Sequence, residues 1–591
     1  MRTLFLIAAC ISLAVAGPLS GQGGAPLARR AASTAEARGR GATAPRPIVK
    51  DLDVAVAMRD GVRLSANVFL PPRRGPFPCI LARTPYNKGT DIAPVYRAFV
   101  DRGYAVVVQD VRGRYDSEGA FEPLTQEPND GDDTIYWIAH QPWSNGKVGM
   151  VGGSYLGIAQ WKAALLNNPH LKAIFPVVSG YDDYRDRFYS TGGAMKLGNR
   201  LEWMSENLRE PGYREDFGRF VLHLPTRTSD LAALGWTSPL YQNIIAHPTF
   251  DGFWRAVSVR EQIGRIKVPV FSVGGWYDNF VESDLEAYAA LRRTSGVNRI
   301  LIGPWPHNMS LPFTGVSFGP DSSAPIHELQ LEWFDQWLMG KDSALLSKPP
   351  VKLFVMGVNQ WREEKEWPPE GAATRYFYLE SRGQANSLAG DGALNERRSS
   401  GIADQFVFDP GSPAPTRGGA VCCNPRIFPW GPMDQRPVEA RQDVLVYTTA
   451  PLTRPVEAIG PVQVVLYVAT SARDTDFTAK LVDVFPDGEA RNLTDGILRL
   501  RYRNSLEKAE PARPGEVYRI TIDAGVTGNV FLKGHRIRVE VSSSNFPRFD
   551  RNPNDGRRVA DAVRLIKASQ TVYHDAERPS ALVLTVVPGK G

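Results

Sequence analysis

Between residues 51 and 71 apolar side chains alternate with polar ones: Val54, Val56 and Met58, then Val62, Leu64, Ala66, Val68 and Leu70. Asp60-Gly61 separates the two sets. Period-two alternation around such a pair predicts a β-hairpin with one buried face. The pattern then changes. Short apolar runs without alternation occur at Cys79–Leu81, Tyr104–Val108, Val148–Val151, Ala173–Val178, Val268–Val273 and Arg299–Ile302. Strands covered on both faces read this way. Helical spacing lies between several of them, as at Thr134–His140 and Glu282–Leu291. Alternating strands and helices of this kind predict an α/β fold around a mainly parallel sheet.

The alternation stops at 181–255, where Tyr, Trp, Arg and Asp occur at helical spacing without a strong strand. This segment is expected to be a helical cap inserted into a catalytic domain formed by 47–180 and 256–345. His327–Leu338 reads as an amphipathic helix closing that domain, and Lys348-Pro349-Pro350 marks a break in the chain after it. From Val351–Met356 to Ala581–Val587 the pattern is strands alone, with Pro, Gly and Asp between them. Residues 346–591 are therefore expected to form an all-β sandwich of jelly-roll type. No repeat of fixed period is present.

The first sixteen residues, one Arg followed by an apolar run ending Ala14-Val15-Ala16, have the form of a secretory signal peptide. The run is shorter than the roughly 20 residues of a spanning helix, so export to the periplasm or medium is expected and a membrane span is not. Residues 17–46, rich in Gly, Ala, Pro and Arg, read as a disordered tether. The net charge of +6 is spread along 591 residues, much of its excess lying in 29–46, which argues against a nucleic-acid surface. Of four cysteines, Cys10 leaves with the signal and Cys79 reads as a buried free thiol. Cys422 and Cys423 are adjacent, and whether they are bonded stays open. No zinc-ligand spacing occurs, and no metal or organic cofactor is expected.

The chemistry starts at GGSYLG, residues 152–157, which comes after the Val148–Val151 strand and opens a helical stretch from Tyr155. A serine on a glycine-crowded strand-to-helix turn has the layout of a nucleophile elbow, so Ser154 is the expected nucleophile. On that fold the acid and the histidine come later, in that chain order. Among eight histidines, His307 alone follows a core strand, in ILIGPWPHN. Asp278, at the end of VPVFSVGGWYDNF, is the preferred acid; Asp182 and Asp183, after the Ala173–Val178 strand, compete with it. Oxyanion donors are expected from the Tyr155 N–H and from the Tyr86 hydroxyl in RTPYNK.

GGSYLG, RTPYNK, VRGRYDSEG, GGWYDNF and GPWPHN together resemble the bacterial cocaine esterase and X-Pro dipeptidyl-peptidase (CocE/NonD) family of serine hydrolases, relatives of the α-amino acid ester hydrolases. The likeness runs from about residue 48 to the C-terminus. It implies an α/β-hydrolase core, a helical cap and a C-terminal jelly roll, and the same assignment of Ser154, Asp278, His307, Tyr86 and Tyr155. The amino acid ester hydrolases carry acidic residues after the aspartate to bind an ammonium group; here Asn279-Phe280-Val281 stands in that place. Phe280 and Trp276 are candidate pocket walls, with a plain core role equally open for Phe280.

Other polar clusters read as structural. The run Asn129–Asp133 lacks calcium-loop spacing and is expected to cap a helix starting at Thr134. Arg112, Arg114 and Glu118 are expected in an ion-paired loop near the site. Asp182, Asp183 and Asp186, at the cap entrance, are expected on a solvated face, with substrate contact as the alternative.

The expected function is hydrolysis of an ester, amide or short peptide through an acyl-enzyme, foremost as a carboxylesterase. The alternatives are an X-prolyl dipeptidyl aminopeptidase, a β-lactam or amino acid ester acylase, and an inactive glycan-binding module. Oligomeric state is left open, a homo-oligomer included.

Overall fold

The computed structural model describes residues 47–588 apart from 295 and 399. The expected signal peptide, tether and Cys10 lie outside the described residues. Ten strands form the first sheet: β1 (Val49–Ala57), β2 (Arg63–Leu70), β3 (Phe77–Thr84), β4 (Ala105–Asp110), β5 (Ser144–Gly153), β6 (Leu171–Val177), β7 (Val270–Tyr277), β8 (Asn298–Pro306), β9 (Val351–Val355) and β10 (Gln360–Glu364). Their order is β1-β2-β4-β3-β5-β6-β7-β8-β9-β10. β1 and β2 form the hairpin expected at Asp60-Gly61, where Gly61 takes φ +86°. From β4 through β9 neighbouring strands are parallel. Their carboxyl ends therefore gather at one edge, where open α/β sheets place their sites.

The unalternating apolar runs are buried on both faces. Every residue of β3, β4, β7 and β8 is buried. Helices cover the sheet, among them α1 (Pro94–Arg102), α2 (Glu127–Ala139) and α3 (Tyr155–Ala164). α2 starts seven residues before the expected Thr134, with Pro in its first turn. The acidic run Asn129–Asp133 lies inside this helix rather than capping it. Asp130 pairs with Arg112 at 2.6 Å, and Asp132 and Asp133 with Arg59 at 2.6 and 2.7 Å. Favourable placement of carboxylates in a first turn explains the early start.

Between β6 and β7 the chain forms α4 (Leu197–Asn207) and several shorter helices, which enclose their own aromatic core. Asp182, Asp183 and Asp186 are not on a solvated face: they are 1%, 3% and 6% exposed. Asp183 is held by Lys162 at 2.7 Å and Arg187 at 2.6 Å. Burial raises its pKa, and these two cations outweigh that and keep it below the usual carboxylate value. Asp186 accepts from the Tyr181 and Asp182 amides, and burial, then Asp182, push it up to about 7.

The second sheet has eleven strands, almost all antiparallel. Its longest pair, Val456–Thr470 with Tyr518–Phe531, folds back so that the latter strand packs on Ala490–Arg499. The two halves meet at an apolar seam. There the strand expected to open the β domain, Val351–Val355, is instead β9 of the first sheet, parallel to β8. A buried apolar strand carries no mark of which sheet it will join, and β8 offers it an edge. No helix among the described residues is long and apolar enough to cross a membrane.

Arg83, at the end of β3, is fully buried and paired with the equally buried Glu127 of α2. Glu127 also accepts a hydrogen bond from the Tyr155 hydroxyl at 2.8 Å, tying α2 to α3. Arg83→Met would leave a buried carboxylate without its cation. It should cost about 3–5 kcal/mol in denaturant unfolding, with part recovered in the Arg83→Met, Glu127→Gln double variant.

Candidate active site

Three of the parallel strands end one residue before a polar side chain: β5 before Ser154, β7 before Asp278 and β8 before His307. Ser154 has φ 57°, ψ −124°, a conformation that costs a non-glycine residue of order 1–3 kcal/mol. Its N–H donates to Val177 O at 2.9 Å, which fixes the turn to β6. Glycine is required around it. A Cβ on Gly152 (φ +134°) would fall 2.5 Å from the Leu156 Cβ, and one on Gly157 2.5 Å from the Ser179 Cβ. The strain lifts the hydroxyl off the sheet edge towards the next two strand ends.

The Ser154 Oγ lies 3.0 Å from His307 Nε2, and His307 Nδ1 lies 2.6 Å from Asp278 Oδ1. With the ring proton on Nδ1, His307 donates to Asp278 and accepts from Ser154. Asp278 is fully buried, and its other oxygen accepts the Phe280 N–H at 3.1 Å. The competitor Asp183 is occupied by Lys162 and Arg187, and Asp182 accepts from the Tyr184 amide at 3.0 Å. The Phe280 ring packs 5.7 Å from the His307 ring, which limits the imidazole's rotation.

Tyr86 follows β3. Its hydroxyl oxygen accepts the Trp203 Nε1–H at 3.1 Å, so its own proton is free to donate. Burial raises the phenol's pKa, against smaller opposing effects from Trp203 and Ser154, so it stays protonated. The Tyr155 side chain turns away to Glu127, while its N–H is the first of α3, at a helix end without an internal acceptor.

Trp276 does not line this site. Its Nε1–H donates to Phe354 O at 2.6 Å, and a Cβ on Gly528 would lie 2.5 Å from its ring. A buried indole needs an acceptor, and this one finds it in the seam between the two sheets. Arg112 is ion-paired with Asp60 and Asp130, and Glu118 with Arg63, whereas Arg114 donates to the carbonyls of Pro85 and Asn207.

Two groups at the site were not expected. α4 brings Arg200 and Trp203, three residues apart and so on one face. The loop carrying Cys422 and Cys423, which are disulfide-bonded, reaches in from the second half of the chain. One ring nitrogen of His307 and both sulfurs lie within 4.8 Å of one another. As a disulfide the sulfurs are poor metal ligands, and both imidazole nitrogens are engaged, so this cluster does not fit a metal ion. The i,i+3 spacing of Arg200 and Trp203 was the available signal for α4.

Residues 60–309 match the family model described as X-Pro dipeptidyl-peptidase (S15 family), and residues 344–583 match its C-terminal non-catalytic domain. The chain belongs to the S15 family. It is 40% identical over 566 residues to the cocaine esterase of Rhodococcus sp. (strain MB1 Bresler), covering 90% of this chain and 98% of that protein. Among solved structures it is similar to an α-amino acid ester hydrolase, with TM-score 0.80 and 27% identity over 94% of this chain and 100% of that one. It is also similar to an aminopeptidase from a marine sediment Thaumarchaeota archaeon, with TM-score 0.79 and 26% identity over 92% and 96% of the two chains. Like these S15 relatives the protein is a serine hydrolase of α/β-hydrolase fold with an all-β C-terminal domain.

Glu202, on α4 beside the disulfide loop, is fully buried, and burial, then Glu206, raise its pKa to about 9. The unfolded carboxyl titrates near 4.5. Between these values the folded state holds one proton more than the unfolded chain, so stability falls as pH rises through that window. Glu202→Gln should remove this loss. Denaturant titrations at pH 5 and pH 8 should show a smaller pH-dependent difference in the variant than in the wild type.

Proposed function

We propose that this S15 hydrolase is a carboxylesterase working through a Ser154-His307-Asp278 relay and an acyl-enzyme. The observation that carries the reading is the unbroken path from Ser154 Oγ to His307 Nε2 at 3.0 Å and from His307 Nδ1 to Asp278 Oδ1 at 2.6 Å. Ser154 attacks the acyl carbon as His307 takes its proton. Asp278 holds the ring and stabilises the imidazolium without accepting the proton. The Tyr86 hydroxyl and the Tyr155 N–H donate to the oxygen that becomes negative. His307 then protonates the departing alcohol oxygen. Water, deprotonated by His307, attacks the acyl-enzyme, and His307 passes that proton to the departing Ser154 Oγ as the acid is released.

Ester cleavage is preferred to dipeptide release for a local reason. A peptidase of the latter kind must hold its substrate's terminal ammonium, and the group beside the disulfide at this site is Arg200, a buried cation without an ion-pair partner among the described residues. Burial, then Arg187, lowers the Arg200 pKa to about 9, so the guanidinium stays charged at neutral pH. The 40% identity to a cocaine esterase points the same way. We also propose that the enzyme acts outside the cytoplasm, on the strength of the apolar run Leu4–Ala16.

Stopped-flow hydrolysis of p-nitrophenyl butyrate should give a p-nitrophenol burst of one equivalent per active chain, then slower turnover. Ser154→Ala and His307→Ala should each lower kcat by at least ~10³-fold. Ala-Pro p-nitroanilide should be a far poorer substrate; faster turnover of the anilide than of the ester would reverse the choice.

A further inference from the structure

Arg200 is 5% exposed, yet no carboxylate among the described residues comes within ion-pair distance of its guanidinium. Its Nε has no hydrogen-bond partner, and Nη2 points at the Cys422 sulfur, 3.8 Å away. That sulfur belongs to a disulfide and carries no charge. The Phe188 ring lies 5.7 Å from the guanidinium carbon. The acid nearest in sequence, Glu202, has its pKa raised to about 9 by burial and then by Glu206, so it carries no charge at neutral pH. Other cations crowd the same place: Arg187, which is already paired with Asp183, and Lys196, which donates to the Asp186 carbonyl. Burying a cation without a counter-charge costs several kcal/mol, a cost that binding an anion offsets.

The position ties this cation to the reaction. The sulfur that Arg200 contacts lies within 4.8 Å of a His307 ring nitrogen. Tyr86, beside Ser154, feels the Arg200 charge, which pulls its pKa down against burial. On the same face of α4, Trp203 donates to Tyr86. The guanidinium is thus one sulfur away from the imidazole and shares a helix face with the group that orients the oxyanion donor.

We propose that Arg200 binds a carboxylate of the substrate, so that the preferred substrates are esters bearing a carboxylate a few bonds from the scissile carbonyl. The proposal rests on the esterase reading above. A guanidinium binds a carboxylate through two parallel N–H···O bonds, which gives orientation as well as affinity. The carboxylate could belong to the acyl part or to the alcohol part of the ester, and the two are separable by substrate.

The test compares kcat/KM for two matched pairs: mono-p-nitrophenyl glutarate against p-nitrophenyl pentanoate, and 4-(butyryloxy)benzoate against phenyl butyrate. The enzymes are wild type, Arg200→Leu and Arg200→Lys, all with the disulfide oxidised. The wild type should favour the charged ester of one pair by at least ~10-fold, as a charge-assisted hydrogen-bond pair allows. Arg200→Leu should lose at least ~10-fold more on that ester than on its neutral partner, mainly in KM, and Arg200→Lys should recover part of the loss. The first pair responding places the carboxylate on the acyl side, the second on the alcohol side. Absence of a charge preference in both pairs for the wild type overturns the proposal, as does an equal loss on charged and neutral esters in both variants. If Arg200→Leu does not fold, the wild-type preference and Arg200→Lys still decide. Calorimetric binding of glutarate to the wild type, weakened in Arg200→Lys, reads the site without turnover. Ester inactivity with intact glutarate binding would overturn the esterase reading and leave Arg200 as an anion site; no binding and no charge preference overturns the role of Arg200.

Discussion

The hydrogen bond between His307 Nδ1 and the fully buried Asp278 is the constraint on which this active site depends. A carboxylate without solvent must find donors, and Asp278 has two: the imidazole and the Phe280 amide. Satisfying it fixes the ring, its tautomer and the direction of Nε2. The parallel sheet makes this possible, because β5, β7 and β8 all end at one edge. Side chains from distant parts of the sequence then need no long loop to meet.

Behind the elbow, the site is braced by charge rather than by apolar packing alone. Arg83, Glu127 and the Tyr155 hydroxyl form a buried line from β3 through α2 to α3. In front, the second half of the chain does more than cover the catalytic domain. Its Cys422–Cys423 pair comes within reach of His307, and its Gly528 makes room for Trp276. α4 closes a third side with Arg200, Trp203 and the protonated Glu202. The disulfide loop and α4 therefore border a site whose serine, imidazole and carboxylate come from the sheet edge.

The parts legible in the sequence were those governed by local rules. The alternation around Asp60-Gly61 gave the hairpin away, the unalternating runs the buried sheet, and the glycines around Ser154 the elbow. The order of Ser154, Asp278 and His307 came from strand ends. What escaped was set by packing at a distance. Trp276 adjoins Asp278 closely in sequence but is claimed by the Phe354 carbonyl. Asp183 looked solvated because nothing local signals the buried Lys162 and Arg187 that hold it. The Val351–Val355 strand could have joined either sheet, and only the free edge of β8 decided it. Arg200 reads as an ordinary helix arginine until the neutral disulfide beside it is seen.

The relay itself is most directly tested by the rate at which a fluorophosphonate modifies the protein, with the modified residue identified by tryptic mass spectrometry, in wild type and in Asp278→Asn. An activated serine should yield one adduct, on Ser154, and the folded asparagine variant should react slower by at least ~10³-fold because its imidazole is no longer held in the accepting tautomer. Labelling at another residue, or an undiminished rate in the variant, would contradict a Ser154-His307-Asp278 relay.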